Sequence, residues 1–198
     1  MAAAIKPQIR SMFATPLCVH FLPIAQEANA DLRPLILERP AEGLSDFESW
    51  GGGHAGTLMR VVRELAESLT ATRNGGRAAV DWKITSRAQL LKAGEFREAA
   101  ASPGAFWAGV YFVDDGYQKS DDPALGGDIE LADPRGVLPS MVAPQLGFRV
   151  PNGLTAGQSE SIRPQSGMIL LYPAFMARGE KRMEGNGTRL TIAFELAL

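Results

Sequence analysis

A chain of 198 residues, 45% of them hydrophobic and 21% charged, is long enough for one domain with a sizeable core, and its Gly- and Pro-rich stretches are too short and scattered to act as linkers. A net charge of -2 gives no electrostatic reason to expect nucleic acid as a partner. Cys18 is the sole cysteine, which excludes an intrachain disulfide and a zinc site built from several cysteines, and suits a reducing compartment.

Taken in chain order, residues 13–24 are apolar but short, and Pro16, His20 and Pro23 interrupt them. They read as neither a membrane span nor a signal peptide, so a cytoplasmic protein with no membrane association is expected. Residues 17–22 read as a first strand and residues 25–37 as a helix that bends at Pro34. A clearer helix follows, where Leu58, Val61, Val62, Leu65 and Leu69 recur at three- and four-residue steps and Arg60, Arg63, Glu64 and Glu67 take the other face. Between the helices, residues 43–56 carry Ser45-Asp46 and Gly51-Gly52-Gly53, which predict an irregular, flexible lead-in.

From residue 77 the texture changes to short β-prone runs separated by turn residues, at 78–84, 105–113, 127–132, 167–172 and 188–198. Helices precede strands without alternation, which disfavours a parallel Rossmann-like sheet. The fold class expected is mainly β with N-terminal helices, a jelly roll in which residues 1–76 supply a strand and helices packed on the barrel and 77–198 its core. Phe106, Trp107, Tyr111 and Phe112 are expected in that core.

Three blocks carry a family resemblance. They are Pro103-Gly104-Ala105-Phe106-Trp107-Ala108-Gly109-Val110-Tyr111-Phe112-Val113, then Gly126-Gly127-Asp128-Ile129-Glu130-Leu131-Ala132-Asp133-Pro134-Arg135-Gly136, and finally Gly167 to Pro173 with Gly185-Asn186-Gly187-Thr188-Arg189-Leu190-Thr191-Ile192-Ala193-Phe194. Together they resemble the family of 2-oxoglutarate/Fe(II) oxygenases with a His-x-His-Pro-Gly segment, a Ser-Gly-Val-Tyr-Tyr-Val strand and a Gly-Gly-x-Leu-x-x-x-Asp-Pro-Arg loop. The likeness is dense over residues 80–198 and thinner before, where Thr15-Pro16-Leu17 and Ser49-Trp50-Gly51 are suggestive. It implies a cupin-like double-stranded β-helix. Oxygenases of this kind hold Fe(II) on one face, leaving positions for the 2-oxo acid and oxygen.

The resemblance places the His-x-His on Ala100 and Ser102 and the distal His on Arg178. Alanine has no donor, a neutral serine hydroxyl is a poor ligand, and arginine puts a fixed positive charge where a dication would sit. Fe(II) is therefore not expected. Ala108 and Phe112 stand where the family has Ser and Tyr. Arg189 followed by Thr191 matches the Arg-x-Ser pattern that in the wider superfamily holds the far carboxylate of 2-oxoglutarate. Alternation along the last strand sets Arg189, Thr191, Ala193 and Glu195 opposite Leu190, Ile192, Phe194 and Leu196, with room expected beside the guanidinium. A carboxylate site of Arg189, Thr191 and Arg178 is one reading. The other pairs Arg189 with Asp128, Glu130 or Asp133 and leaves Arg178 as a solvated loop residue.

His20 and His54 lack the short spacing that sets two imidazoles on one face. A metal site from His54 with Asp114, Asp115, Asp121 or Asp122 stays open, as does a role for Glu98 as an acid-base group in what reads as a charged turn with Glu95 and Arg97. The functions that follow are a metal-free, degenerate oxygenase fold binding a small carboxylate, 2-oxoglutarate among them, or a protein partner. The alternatives are an enzyme, either an oxygenase with unconventional ligands or a metal-independent lyase or isomerase using Arg178, Arg189 and Glu98, and a structural subunit, a homodimer included.

Overall fold

The computed structural model describes Gln8 and residues 13–136, 141–148 and 157–198. Two helices and one helical turn come early: α1 (Ala25–Glu38), α2 (Phe47–Trp50) and α3 (Gly52–Leu69). Along α3 the buried positions are Ala55, Leu58, Met59, Val62 and Ala66; of the predicted stripe Leu58 and Val62 are buried, Val61 and Leu65 are partly buried against the core, and Leu69 at the helix end is exposed. α1 buries Ala28, Leu32 and Ile36 despite the internal Pro34.

The glycine run departs from its expectation as a flexible connector. Gly52 and Gly53 are the first residues of α3, and Gly51 packs so closely that a Cβ there would lie 2.6 Å from the Phe47 ring and 2.7 Å from Ala55. Glycine here permits α2 and α3 to join at a tight corner rather than loosening the chain.

The strands are β1 (Cys18–Phe21), β2 (Lys83–Leu91), β3 (Arg97–Ala100), β4 (Trp107–Asp114), β5 (Ile129–Leu131), β6 (Glu160–Ile162), β7 (Met168–Pro173), β8 (Arg178–Glu180) and β9 (Arg189–Ala197). They form two antiparallel sheets, ordered β1-β7-β4-β9-β2 and β3-β8-β5-β6. From β2 onward the chain crosses from one sheet to the other at every step except β5 to β6, which is the winding of a double-stranded β-helix. The run expected at 78–84 begins five residues later than read, at Lys83, where β2 pairs with β9 from Lys83↔Ala197 to Leu91↔Arg189. β1 joins the larger sheet as its edge by pairing with β7.

The larger sheet is apolar on both faces. Its outer face holds Trp107, Tyr111, Val113, Ile169, Leu171, Leu190, Ile192, Phe194 and Leu196 against α1 and α3. Its inner face holds Ala108, Val110, Phe112, Met168, Leu170 and Tyr172 against Ile129 and Leu131 of the smaller sheet. Each buried large aliphatic side chain stabilises by roughly 1.5–3 kcal/mol, so these two layers clamp the larger sheet between helices and the smaller sheet. The Tyr111 hydroxyl donates to Asn29 Oδ1 at 2.6 Å and ties α1 to β4. Phe106, expected in the core, is instead 50% exposed: it precedes β4, and its ring meets Trp82 at a tilt and Trp107 edge-to-face.

Candidate functional site

β9 decides which side chains enter the barrel. With Leu190, Ile192, Phe194 and Leu196 turned to the helices, the pleat turns Arg189 and Thr191 inward, where Thr191 sits beside Gln89 and Phe112 in the register. Arg189 and its side chain are completely buried. Its Nε donates to the Asp115 carbonyl at 3.0 Å, Nη1 to the Gly127 carbonyl at 2.6 Å and to Glu180 Oε2 at 3.2 Å, and Nη2 to the Tyr117 hydroxyl at 2.9 Å. The room expected beside this guanidinium is thus filled. Its acidic partner is none of Asp128, Glu130 and Asp133 but Glu180, two residues beyond Arg178 on β8.

That two-residue spacing puts Arg178 and Glu180 on one face of β8. Glu180 lies opposite Arg97 in β3, and Arg178 lies opposite Ala100. Glu180 Oε1 is 3.3 Å from Arg97 Nε and 3.4 Å from Arg178 Nη2, and the Glu180 carboxylate side chain is 1% exposed. Three guanidinium groups therefore converge on one buried carboxylate, an excess of positive charge. Arg97 Nε and the Glu180 Oε1 that faces it pair without a well-formed hydrogen bond, and Arg178 Nη1 is buried with none, an arrangement that costs free energy unless something completes it. Burial pulls Arg97 below the ordinary guanidinium range; Glu180 opposes this, while Arg178 and Arg87 add to it. Burial likewise raises Tyr172, with the charge of Arg178 opposing.

Arg178 is therefore no solvated loop residue: it starts a strand, and its side chain is 11% exposed. Glu98 lies within β3 and is exposed rather than turned toward this cluster, and Arg97, read as part of a charged turn, is the residue that points at Glu180. The metal alternative built on His54 is not assembled. His54 Nε2 sits 2.9 Å from Asp31 Oδ2 and joins α3 to α1, Asp114 pairs with Arg33, Asp115 accepts from the Tyr117 and Ser166 backbone N–H groups, and Asp122 caps the turn at Pro123–Leu125.

The Gly-Gly-Asp-Ile-Glu-Leu segment is explained by the same arginine. Gly127, at φ +73°, presents its carbonyl to Arg189 and passes so near that an added Cβ would lie 2.8 Å from Arg189 Nη2 and collide with the Met183 sulfur. Gly127→Ala is expected to cost about 2 kcal/mol or more, from the positive φ and the overpacking together. Urea denaturation measures this, and a variant within about 0.5 kcal/mol of wild type would mean that the loop yields. Further along, Asp133 receives Arg135 Nε and Nη2, both at 2.9 Å, and the N–H groups of Arg135 and Gly157. Burial alone would raise the Asp133 carboxyl, but these donors outweigh it and hold it below the usual carboxylate range.

Whether the family's metal fits is a question of donor chemistry. Ala100 and Arg178, the positions that resemblance gives to two of three ligands, are direct cross-strand partners, so the fold does bring them together. Ser102 follows, its N–H held by the Ala174 carbonyl at 2.9 Å. A methyl group, a hydroxyl and a guanidinium do not make a site for Fe(II). Among the described residues no group of three His, Cys, Asp or Glu side chains could hold a metal ion. No described helix is long and apolar enough to cross a membrane.

The winding of the sheets, the inward arginine on the last strand and the facing positions 100 and 178 define the class: a double-stranded β-helix of the oxygenase kind. Residues 86–195 match the family described as "Putative 2OG-Fe(II) oxygenase", and the chain belongs to that family. Among solved structures, it is similar to HygX from Streptomyces hygroscopicus with nickel and 2-oxoglutarate bound, at 12% identity over 92% of this chain and 82% of that one, with a TM-score of 0.60. It is similar also to a prolyl hydroxylase from Trichoplax adhaerens in complex with a hypoxia inducible factor oxygen degradation domain peptide fragment (11% identity, 91% and 83% covered, TM-score 0.60). A Pseudomonas putida prolyl-4-hydroxylase gives 14% identity, 92% and 86% coverage and a TM-score of 0.56. At such identities the likeness is one of fold. No curated protein matches the chain.

Proposed function

We propose that this protein is a metal-free, degenerate member of its family that binds a small carboxylate at the mouth of the barrel, with Arg178 as the cation that meets it. The observation that carries the reading is the facing pair Ala100 and Arg178: where two imidazoles would share a metal, one side is a methyl group and the other a guanidinium. A fixed cation can hold a carboxylate without any metal, bidentately when the fork is free. Support for a ligand comes from the charge excess around Glu180 and from the buried, unpartnered Nη1 of Arg178. The site of Arg189, Thr191 and Arg178 is thereby revised, with Arg178 and Arg97 at the mouth and Arg189 sealed beneath.

Anaerobic calorimetry with acetate, succinate and 2-oxoglutarate, each with and without Fe(II), tests this. The expected result is binding of at least one of them that Fe(II) leaves unchanged and that weakens about tenfold or more, 1.4 kcal/mol, in Arg178→Ala. Binding strengthened by Fe(II) would restore the oxygenase reading. No binding of any carboxylate would remove the ligand and leave a protein partner as the remaining use of the fold.

A further inference from the structure

Arg189 has four protein partners, and three of them are neutral: two backbone carbonyls and the Tyr117 hydroxyl. Glu180 is the carboxylate that the described residues bring to it, at 3.2 Å and almost wholly buried. The resemblance gives Arg189 the task of holding the carboxylate of a free ligand, and in this chain a side chain from β8 already stands there. Strand geometry explains how it arrives. Residue 180 is opposite Arg97 and Ile129 on the two neighbouring strands, on the same inward face as Arg178, so its side chain extends across the barrel toward β9.

We infer that Glu180 is a tethered ligand: its carboxylate occupies the carboxylate seat of the fold on Arg189, and the seat takes a free small carboxylate once that side chain is cut back. A tethered group competes at an effective concentration on the order of millimolar or above, and Arg97 and Arg178 on its other oxygen hold it in place. A free 2-oxo acid is thus refused at Arg189 by the chain itself, independently of the metal. The inference takes from the functional reading only the correspondence of Arg189, and it does not depend on a ligand at Arg178.

Glu180→Ala keeps the Cβ and removes a CH2–COO⁻ fragment, for which acetate is the matching free molecule. Thermal melting of wild type, Glu180→Ala, Glu180→Gln and the double variant Glu180→Ala/Arg189→Ala is compared in sodium acetate and sodium chloride at equal ionic strength. Acetate is expected to raise the midpoint of Glu180→Ala, with an apparent affinity at least about tenfold above that of wild type. It should do little for Glu180→Gln, whose amide fills the seat, and nothing specific for the double variant. Rescue that persists in the double variant, an equal response in wild type, or a folded Glu180→Ala indifferent to acetate would each overturn the inference. If Glu180→Ala does not fold in chloride, refolding yield from urea is the readout: recovery in acetate supports the seat, and failure in both salts overturns it. Failure here, with metal-indifferent binding retained at Arg178, would leave the functional reading standing. Fe(II) binding by wild type, with acetate rescue intact, would do the reverse.

Discussion

Arg189→Ala should lower the unfolding free energy by about 3–5 kcal/mol, the range for removing one partner of a buried ion pair. The reasoning rests on what is left behind. Without the guanidinium, the Glu180 carboxylate keeps two cations but loses its innermost one, while the carbonyls of Asp115 and Gly127 and the Tyr117 hydroxyl lose their donor inside the protein. These acceptors belong to the segments 115–117 and 126–127, so the arginine pins two loops to β9 at once. At about 2–4 °C per kcal/mol for a chain of this size, the melting midpoint should fall by roughly 6–20 °C. Arg189→Lys keeps the charge but not the fork of donors, and it should lose most of the same stability. Arg178→Ala should cost less, because that side chain is nearer the surface and one of its nitrogens has no hydrogen-bond partner to lose. Urea melts of the three variants decide the matter; an Arg189→Ala loss below about 1 kcal/mol, the worth of an exposed pair, would show that water fills the vacancy freely.

How much of this was legible in the sequence depends on the range of the signal. The helical period of α3 is readable, as is the pleat of β9, because each is a pattern within one element, but the buried face of α3 is centred on the smaller Ala55, Met59 and Ala66 beside Leu58 and Val62 rather than on Leu65 and Leu69. β5 falls within the run expected at 127–132, but the three-residue strands β6 and β8 are too short to show a period, and β3 reads as a charged turn because Arg97 faces inward while Glu98 faces out. The sequence reads β2 as starting early because residues 78–82 hold apolar residues that pack on the core from outside the sheet, as Val80 and Trp82 do. Local glycine chemistry misled at Gly51, where small size serves packing rather than flexibility.

The candidate site was half readable for the same reason. Positions 100, 102 and 178 could be found by resemblance, and β3–β8 pairing confirms that two of them meet. Glu180 could not be selected, although it stands nine residues from Arg189, because the two lie on different strands and separation along the chain does not say which acid the fold brings to the guanidinium. The one available signal was Arg178-x-Glu180: on a strand, a two-residue step sends both side chains to the same face. Tyr117 had none, since it reaches Arg189 only through the fold of the loop after β4.

Replacing Ala100, Ser102 and Arg178 together by histidine should create a metal site where the described residues form none. Ala100 and Arg178 are directly opposite across two strands, where Cβ atoms lie about 4.5–5.5 Å apart, close enough for two imidazoles to share one ion. The third histidine comes from two residues along the same edge, and removing the Arg178 guanidinium takes away the charge that would repel a dication. Ni(II), which imidazole suits and which avoids oxidation, is the probe. The triple variant should bind one equivalent on the order of a thousandfold more tightly than wild type, about 4 kcal/mol. A folded triple variant with wild-type affinity would mean that the strands at 100 and 178 do not present the geometry described. Metal alone should not admit 2-oxoglutarate, because Glu180 still pairs with Arg189. Adding Glu180→Ala to the triple variant should then make 2-oxoglutarate binding depend on both Ni(II) and Arg189. The metal position and the proposed carboxylate seat lie apart in the sequence and should be separable in the test tube: four substitutions on β3, the turn after it and β8 address both.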